Sequence, residues 1–412
     1  MKALRFFIVC AVALMACAGC EKTNEKADEG KDNEYKPLEL STKSVEILDK
    51  SSTFTFGFIK KINDAEDKDY IISPLSMQFL LGMILNGAQG DTAAEICNVL
   101  GFGAGETAAV NEYALSLLQQ LPEMDKKTKL CIADAIFVNQ GWPLKDTYKA
   151  AVGKYYLSEV TNLDFSNGDA ALKTINGWCN DHTNGLIPEV LEEVSDEMLA
   201  YLLNAVYFKS QWKNKFPKEN TINQDFTDEA GLKSKVKMMM NEGRYHYTEN
   251  EVFQAVCMPY GNGAFSMTVL LPKSGYKVAD VANYLAGCTF SDLGSMTIAD
   301  VFVQMPKFET KYNKKLNDIL SEMGMPLSFD EKKADFKAMA QTAAYLSFVQ
   351  QHAYIKVDEE GTEAAAVSIA GMFNATSLPS PGKSFIADHP FLYLITEAST
   401  GAVLFAGRYS GK

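Results

Sequence analysis

Histidines and serines are the residues of this sequence that could support catalysis or bind a metal ion, but their spacing matches no known compact site. The four histidines are His182, His246, His352 and His389. They form neither an HExxH nor an HxH pattern, so the sequence predicts no metal ion and no cofactor. A GxSxG nucleophile turn and a phosphate-binding P-loop are also absent from the sequence. A Ser-His-Asp triad assembled from distant segments stays open, because geometry and not spacing defines a triad.

The cysteines indicate neither a disulfide framework nor a zinc site. Of the eight cysteines, three lie within the first 20 residues. The others are widely spaced and include no CxxC pair: Cys97, Cys131, Cys179, Cys257 and Cys288. A zinc site or a disulfide framework would need close pairs. Buried free thiols are therefore the interpretation for most of them.

The segment with the strongest indication of function is residues 356–391, a long stretch without helix caps. Loops of this length in a compact domain are functional or disordered. Read with a period of two, the face that begins at Thr362 carries only small or uncharged residues as far as Asn374, and the first proline is Pro379. Gly361 and the β-branched residues of the segment favour a central β-strand. An alanine-rich helix is the alternative.

The composition and the net charge of the whole chain indicate the class of protein and exclude some partners. The 412 residues are 47% hydrophobic and 22% charged, which is typical of a soluble globular protein. Lys and Arg number 39 against 52 Asp and Glu, and 39 − 52 gives a net charge of −13. An acidic surface repels phosphate backbones and anionic lipid headgroups. The charge therefore argues against nucleic acid as a partner and against direct binding to an anionic membrane.

The N-terminal residues have the pattern of an export signal. Lys2 and Arg5 precede an apolar stretch, residues 6–16, that is too short to span a bilayer. The small residues before Cys20 resemble the lipobox of bacterial lipoproteins. Residues 1–19 are therefore predicted to be a lipoprotein signal peptide, and Cys20 is predicted to carry the lipid.

Two alternatives apply to this signal: Cys17 as the lipidated residue, with Leu14 correctly placed before it, or an ordinary secretory signal.

Residues 20–41 are charged and nearly without apolar side chains, which predicts a flexible acidic tether. The expected location is the bacterial cell envelope. There the protein would be an outer-membrane lipoprotein that faces the periplasm or the cell surface and meets the membrane only through its lipid.

Hydrophobic periodicity predicts helices early in the chain and strands later. Helical spacing runs over residues 44–63 and 73–100, with a new helix start at Asp91. Ser73 and Pro74 suit the cap and the first turn of a helix. Short apolar runs bounded by turns predict strands at residues 202–208, 252–258, 266–271, 301–305, 392–395 and 403–406. This segregation indicates an α+β fold, and residues 42–412 are predicted to form one domain.

At this point several motifs together resemble the serpin family. Residues 359–366 (EEGTEAAA) resemble the hinge of the serpin reactive-centre loop, and residues 385–391 (FIADHPF) resemble the strand motif after it. Further matching motifs are SPLS at 73–76, LNAVYFK at 203–209 with Trp212, MPY at 258–260 and MPKF at 305–308. The order and spacing of the motifs agree with the family over residues 42–410.

The resemblance implies a serpin fold, with helices packed on three β-sheets and an exposed reactive-centre loop. It also implies a monomeric protease inhibitor, not an enzyme, that forms a covalent acyl-enzyme with its target protease and then inserts the cleaved loop into the main sheet. The family's hinge corresponds to Glu359, Glu360, Gly361, Thr362, Glu363, Ala364, Ala365 and Ala366. Its shutter corresponds to Ser73, Ser76, Asn204 and His352, and its breach to Trp212.

The family's spacing from the hinge places the reactive bond at Ala375-Thr376. Counting back from Pro390 shifts it towards Ser377 and Leu378. Small residues there suit elastase-like or subtilisin-like serine proteases, whereas a leucine suits a chymotrypsin-like or a papain-like enzyme.

Two other functions stay open at the level of sequence. A non-inhibitory serpin could use the same fold as a binding scaffold, and a hydrolase could use a dispersed triad. Thr362 is uncharged and is followed by small residues, whereas a proline or a buried charge there would stop insertion. The sequence therefore favours the inhibitor.

Overall fold

The early part of the chain folds into helices where apolar residues recur at helical spacing. A computed structural model, which describes residues 33–293, 295–362 and 382–412, places helix α1 at Thr42–Ala65, α2 at Pro74–Gly87 and α3 at Gly90–Leu100. The Ser73 hydroxyl accepts a hydrogen bond from the Ser76 N–H (3.2 Å) and so caps α2. The predicted cap and the predicted restart of the helix are confirmed.

Six further helices follow in the described residues. They are α4 at Thr107–Gln120, α5 at Asp146–Tyr155, α6 at Gly168–His182, α7 at Val278–Leu285, α8 at Phe290–Leu293 and α9 at Asn317–Met323. In the part of the chain that the structure describes, no helix combines the length and the apolar character needed to cross a bilayer.

The strands follow the short apolar runs, and every predicted strand is present with its observed start within four residues of the predicted one. They are β1 at Tyr70–Ile72, β2 at Lys129–Asn139, β3 at Glu159–Leu163, β4 at Ala200–Gln211, β5 at Ile222–Thr227, β6 at Lys233–Glu249, β7 at Phe253–Pro259 and β8 at Phe265–Pro272. The later strands are β9 at Thr297–Pro306, β10 at Phe308–Lys315, β11 at Gln350–Val357, β12 at Gly361–Thr362, β13 at Lys383–Ile386, β14 at Phe391–Glu397 and β15 at Val403–Tyr409.

Hydrogen bonds join these strands into two sheets where three were expected. One sheet has six strands in the order β10-β11-β12-β4-β2-β3. The other has nine strands, in the order β1-β15-β14-β8-β7-β6-β9-β13 with β5 paired to β6. Strand β6 is 17 residues long and pairs with β5 along its first part, with β9 from Met238 to Tyr247 and with β7 at its end. Two of the expected sheets share this strand and therefore form one hydrogen-bonded network. The α+β class is confirmed.

The six-stranded sheet is covered on both faces. Helix α2 packs against β4 and also against β15 of the other sheet, so it lies between the two sheets. Ile136 and Val138 of β2 belong to this central core. Ala135 and Phe137 point to the opposite face and pack with residues of α6. This alternation is what a strand buried on both faces requires.

Residues before α1 also contact the domain. The Leu38 N–H donates to Ser399 Oγ (3.1 Å), and the Glu39 N–H donates to Gln120 Oε1 (2.8 Å). Tyr35–Lys412 form one compact unit. This unit begins within residues 20–41, the segment that the sequence predicts to be a tether.

The five cysteines that the structure describes are free thiols, as their spacing predicts. Cys97 and Cys179 are buried, and Cys131, Cys257 and Cys288 are partly buried. Burial raises the pKa of the Cys179 thiol to about 12. A thiol with so high a pKa is not a nucleophile at neutral pH.

Candidate functional site

Two residues of the predicted hinge, Gly361 and Thr362, form the short strand β12 between β4 and β11. Thr362 lies opposite Ser210 of β4 on one side and opposite Val357 of β11 on the other. The Asp358 N–H donates to Gly361 O (2.9 Å) and closes the turn between β11 and β12. The hinge therefore enters the six-stranded sheet at one end. The other hinge residues lie outside the described residues: Glu363, Ala364, Ala365 and Ala366.

Close approach of two backbones explains the glycine of the hinge. Gly361 has a φ of 155°, a conformation that side chains disfavour. A Cβ built on it would lie 2.1 Å from the backbone oxygen of Ser210 and 2.7 Å from the Cα of Gln211. Both contacts are far inside van der Waals distance, so any other residue would push β12 away from β4.

Thr362 is held in a buried polar and aromatic environment. Its side chain is 1% exposed, and its hydroxyl lies 2.6 Å from the hydroxyl of Tyr260. The Tyr260 ring stacks on Trp212, with ring centroids 4.3 Å apart. A side chain of this size and polarity fits the position, whereas a charged one would lack a partner there.

Trp212, the predicted breach residue, lies directly against the hinge. The Trp212 backbone N–H donates to Glu360 O (2.9 Å), and its indole N–H donates to Asp358 O (2.8 Å). The side chain is 3% exposed. These two bonds hold the turn that leads into β12, so the structure brings the predicted breach and the predicted hinge together.

The two glutamates before Gly361 are anchored by lysines from distant segments. Glu359 accepts hydrogen bonds from Lys307 Nζ (2.6 Å) and Thr221 Oγ1 (2.8 Å). Glu360 accepts one from Lys215 Nζ (2.8 Å). Burial alone would raise the pKa of the Glu359 carboxyl, but the bonds to Lys307 and Thr221 lower it on balance. The hydrogen bond from Lys215 lowers the pKa of Glu360 against its burial.

Replacing Glu359 with glutamine is expected to lower the free energy of unfolding at pH 7 by about 1–2 kcal/mol. The pKa of Glu359 is lower in the folded than in the unfolded protein. Its ionised form therefore stabilises the fold above the unfolded pKa of about 4.5, and this contribution is lost as the pH falls through the folded pKa. Urea denaturation at pH 7 and pH 3 measures the difference, which should be smaller at pH 3. Glu309→Gln, on an exposed side chain of β10, is the matched control, and an equal effect of both variants would contradict the assignment.

Away from β12, strands β4 and β11 do not pair with each other in the described residues. Strand β4 pairs with β2 and strand β11 pairs with β10. A cavity of about 330 Å³ lies between them. Its lining is mostly apolar and includes Ile187, Val190, Leu203, Met339, Leu346 and Phe348. The facing edges of β4 and β11 therefore leave backbone donors and acceptors for a further strand.

Three of the four predicted shutter residues meet where α2 lies under β4. The Ser76 hydroxyl donates to Asn204 Oδ1. The Ser73 hydroxyl donates to Leu404 O (2.6 Å). The Ser73 N–H donates to Gln351 Oε1 (3.1 Å), and Gln351 Nε2 donates back to Ser73 O (3.0 Å). This network ties α2 to both strands that border the cavity, because Asn204 is on β4 and Gln351 is on β11.

His352, the fourth predicted shutter residue, is not part of this network, and that prediction is wrong by one position. Successive residues of a strand point to opposite faces. Gln351 faces α2, and His352 faces away from it, where its Nε2 lies 2.9 Å from Gln350 Nε2. Burial lowers the pKa of the His352 imidazole, against the effect of a hydrogen bond with the backbone of Val190.

Comparison with known proteins agrees with this arrangement. The sequence model of one protein family, described as serpin (serine protease inhibitor), matches residues 49–411. The chain belongs to the serpin family. Serpin B6 of Pongo abelii is 31% identical to it over 373 residues, which cover 88% of this chain and 99% of that protein. An uncharacterized serpin-like protein of Thermococcus kodakarensis is 32% identical, over 88% of this chain and 85% of that protein.

A solved structure of the thermophilic serpin tengpin in the native state shares the fold. Its TM-score is 0.81 at 27% identity, and the match covers 93% of this chain and 98% of that one. Serpins are generally protease inhibitors that act on target proteases and are not enzymes.

Other predicted sites of this serpin lie outside the described residues. They are the reactive bond at Ala375 and Thr376, its alternatives Ser377 and Leu378, and the lipidation residues Cys20 and Cys17. These assignments stay predictions.

Four residues of the serpin site were not assigned a role from the sequence. Tyr260 and Lys307 lie inside the MPY and MPKF motifs, but nothing local indicates that they contact Thr362 and Glu359. The alternation of the strand QQHAYIKV (350–357) could have shown that residues 351 and 352 lie on opposite faces. It could not have shown which of the two faces α2. Asp134, which contacts Asn204 from β2, gave no local signal.

Proposed function

We propose that this serpin inhibits a protease by inserting its cleaved reactive-centre loop between β4 and β11. One observation carries the proposal. The described start of the loop, Gly361–Thr362, is already paired on both sides, and the strands that flank it share no ladder beyond it. A loop that continues from Thr362 in the extended conformation would complete the sheet.

The covalent step uses the nucleophile of the target protease. Its serine or cysteine attacks the carbonyl carbon at the reactive bond, and the peptide C–N bond breaks. The protease is then esterified (or thioesterified) to the upstream part of the loop, and the new amino group stays with the downstream part. The upstream part is now free at one end and still continuous with β12, so it can insert.

Insertion moves the attached protease along the sheet. Strand β4 has 12 residues, and at about 3.3 Å per residue it is roughly 40 Å long. A loop that pairs along its whole length carries the acyl-linked protease over a comparable distance. The driving force is the pairing of free strand edges and the burial of apolar loop side chains in the cavity. The complex is trapped only if insertion is faster than hydrolysis of the acyl bond.

The residues at the reactive bond set the class of protease that this serpin targets. A reactive bond at Ala375-Thr376, or at Ser377-Leu378, presents small or aliphatic residues to the protease. Between Glu363 and Ile386, the only basic residue is Lys383. An elastase-like or subtilisin-like serine protease is therefore the proposed target, and a papain-like cysteine protease is the second choice.

The test is a panel of purified elastase-like, subtilisin-like, chymotrypsin-like, trypsin-like and papain-like proteases, each mixed with the serpin. We expect a complex that survives boiling in SDS with at least one elastase-like or subtilisin-like enzyme and none with trypsin-like enzymes. Mass spectrometry of the released C-terminal fragment then identifies the reactive bond. Cleavage of the loop by every protease without any stable complex would instead indicate a non-inhibitory serpin. Turnover with an active-site label on a serpin Ser or Cys would indicate a hydrolase.

A further inference from the structure

A buried carboxyl group lies next to the shutter, and no cationic side chain pairs with it within residues 33–293, 295–362 and 382–412. Asp134 on β2 is 2% exposed and lies opposite Asn204 of β4. Its Oδ1 accepts a hydrogen bond from Asn204 Nδ2 (2.7 Å). Its Oδ2 is buried and has no hydrogen-bond partner among the described residues. A carboxylate in this position carries a large desolvation cost, and only one hydrogen bond compensates it.

The groups packed around Asp134 do not supply a countercharge. Asn204 on β4 and Ser76 on α2 are neutral, and the Ser76 hydroxyl donates to the same Asn204 amide. Tyr156, at the end of α5, is the titratable neighbour, and its hydroxyl donates to Asn111 (2.9 Å). His352 faces the other side of the sheet. Burial accordingly raises the pKa of the Asp134 carboxyl to about 7, although the Asn204 hydrogen bond lowers it.

We propose that the charge of Asp134 controls how readily the six-stranded sheet opens between β4 and β11, with protonation favouring the closed sheet and ionisation favouring opening. This inference rests on the proposed function and deepens it by naming a regulator of insertion. Asn204 is the link, because it lines the cavity between the strands and also holds Asp134 through its amide.

The direction of this effect follows from how well water can reach Asp134 when the sheet opens. Insertion must separate β4 from β11, and β2 and β4 share a ladder and therefore move together over α2. That movement breaks the Ser76–Asn204 contact and lets water or the inserted backbone approach the polar pair. An ionised Asp134 gains solvation in this step, whereas a neutral one gains little. The barrier to opening should therefore be lower above the carboxyl's pKa than below it.

The effect on stability has the opposite sign from that of an ordinary surface aspartate. The pKa of Asp134 is higher in the folded protein than in the unfolded chain, where it is 3.8. The folded state therefore binds more protons between about pH 4 and pH 7, and its stability falls as the pH rises through this range. Asp134→Asn removes the charge and keeps the shape. It should raise the melting temperature at pH 8 and leave it nearly unchanged near pH 4.

The rate of opening can be measured without a protease. A synthetic peptide of residues 361–374, labelled with a fluorophore, is mixed with the intact serpin, and its incorporation is followed by fluorescence anisotropy from pH 5.5 to pH 8.5. We expect the rate to rise about tenfold with a midpoint near 7, which corresponds to a fall of one unit in the pKa of the carboxyl as the sheet opens. Asp134→Asn should incorporate the peptide at the slow rate at every pH.

Two control variants separate Asp134 from other titrating groups. Asp225→Asn removes an exposed carboxylate that is paired with Lys235 and should keep the pH dependence of the wild type. His352→Gln removes the imidazole that lines the cavity and should also keep the pH dependence, whatever its absolute rate. A wild-type rate that does not change with pH overturns the inference, and so does an unchanged pH dependence in Asp134→Asn. If the aspartate variant does not fold, loss of the pH dependence in His352→Gln overturns it instead.

Failure of the proposed inhibitor function would give a different result in this assay from failure of the Asp134 inference alone. If the peptide binds to no variant at any pH, the sheet does not accept a strand, and the inhibitor proposal and this inference fall together. If the peptide binds at a rate independent of pH, the inhibitor proposal stands and Asp134 is not its regulator.

Discussion

Thr362→Arg is expected to convert this serpin from an inhibitor into a substrate. Thr362 is 1% exposed and packed against Tyr260, so an arginine cannot occupy β12 without burying an unpaired charge. That cost is several kcal/mol, and about 3 kcal/mol added to the insertion barrier slows insertion roughly a hundredfold. The protease would then hydrolyse the acyl bond before it is carried along the sheet. The SDS-stable complex should fall below about a tenth of its wild-type yield, while the loop is still cleaved.

Thr362→Val is the matched control for this prediction. Valine has nearly the same shape as threonine and no charge, but it loses the hydrogen bond to Tyr260. Thr362→Val should keep most of the wild-type yield of SDS-stable complex, because β-branched residues suit a strand. If Thr362→Arg still traps the protease at the wild-type yield, the hinge is not at Gly361–Thr362 and the insertion proposal is wrong. If both variants lose the complex equally, the hydroxyl and not the absence of charge is what matters at this position.

Cleavage of the loop is expected to raise the melting temperature by about 10 °C or more. An inserted strand would pair with β4 on one side and with β11, 8 residues long, on the other. About ten new backbone hydrogen bonds at roughly 1 kcal/mol each, together with buried loop side chains, give a gain on the order of 10 kcal/mol. An unfolding entropy of roughly 2.1 cal/mol/K per residue gives the compact unit Tyr35–Lys412 about 0.8 kcal/mol/K, so 10 kcal/mol corresponds to a shift of about 13 °C.

Calorimetry of the intact and the loop-cleaved protein measures this shift. The matched control is Thr362→Arg cleaved by the same protease, which should melt close to the temperature of its intact form because its loop does not insert. Equal melting temperatures of intact and cleaved wild-type protein would contradict insertion. A rise of the same size in the arginine variant would show that insertion does not pass through Thr362.

The sequence by itself determined the family, the α+β class and several elements of the domain. The helix start at Ser73 and Pro74 and the strands of the second half could be predicted because they depend on local features, such as caps, turn residues and a period of two or 3.6. The hinge could be predicted because its motif is continuous and has a fixed order relative to the motifs around it.

Only the tertiary structure decided which residues face each other. The bond between Trp212 and Asp358 joins residues 146 positions apart, and the bond between Glu359 and Lys307 joins residues 52 positions apart. A period of two shows that Gln351 and His352 lie on opposite faces of a strand, but α2 lies on only one of those faces. The choice therefore depends on packing.

Packing between distant segments also decided the burial of Asp134 and the number of sheets. A carboxyl in an otherwise ordinary strand has no local mark of burial, because burial is set by α2, β4 and the end of α5 closing over it. The number of sheets depended on the length of β6, which runs through two of the expected sheets and joins them. Local sequence specifies what each segment can form, and long-range packing decides which atoms it meets.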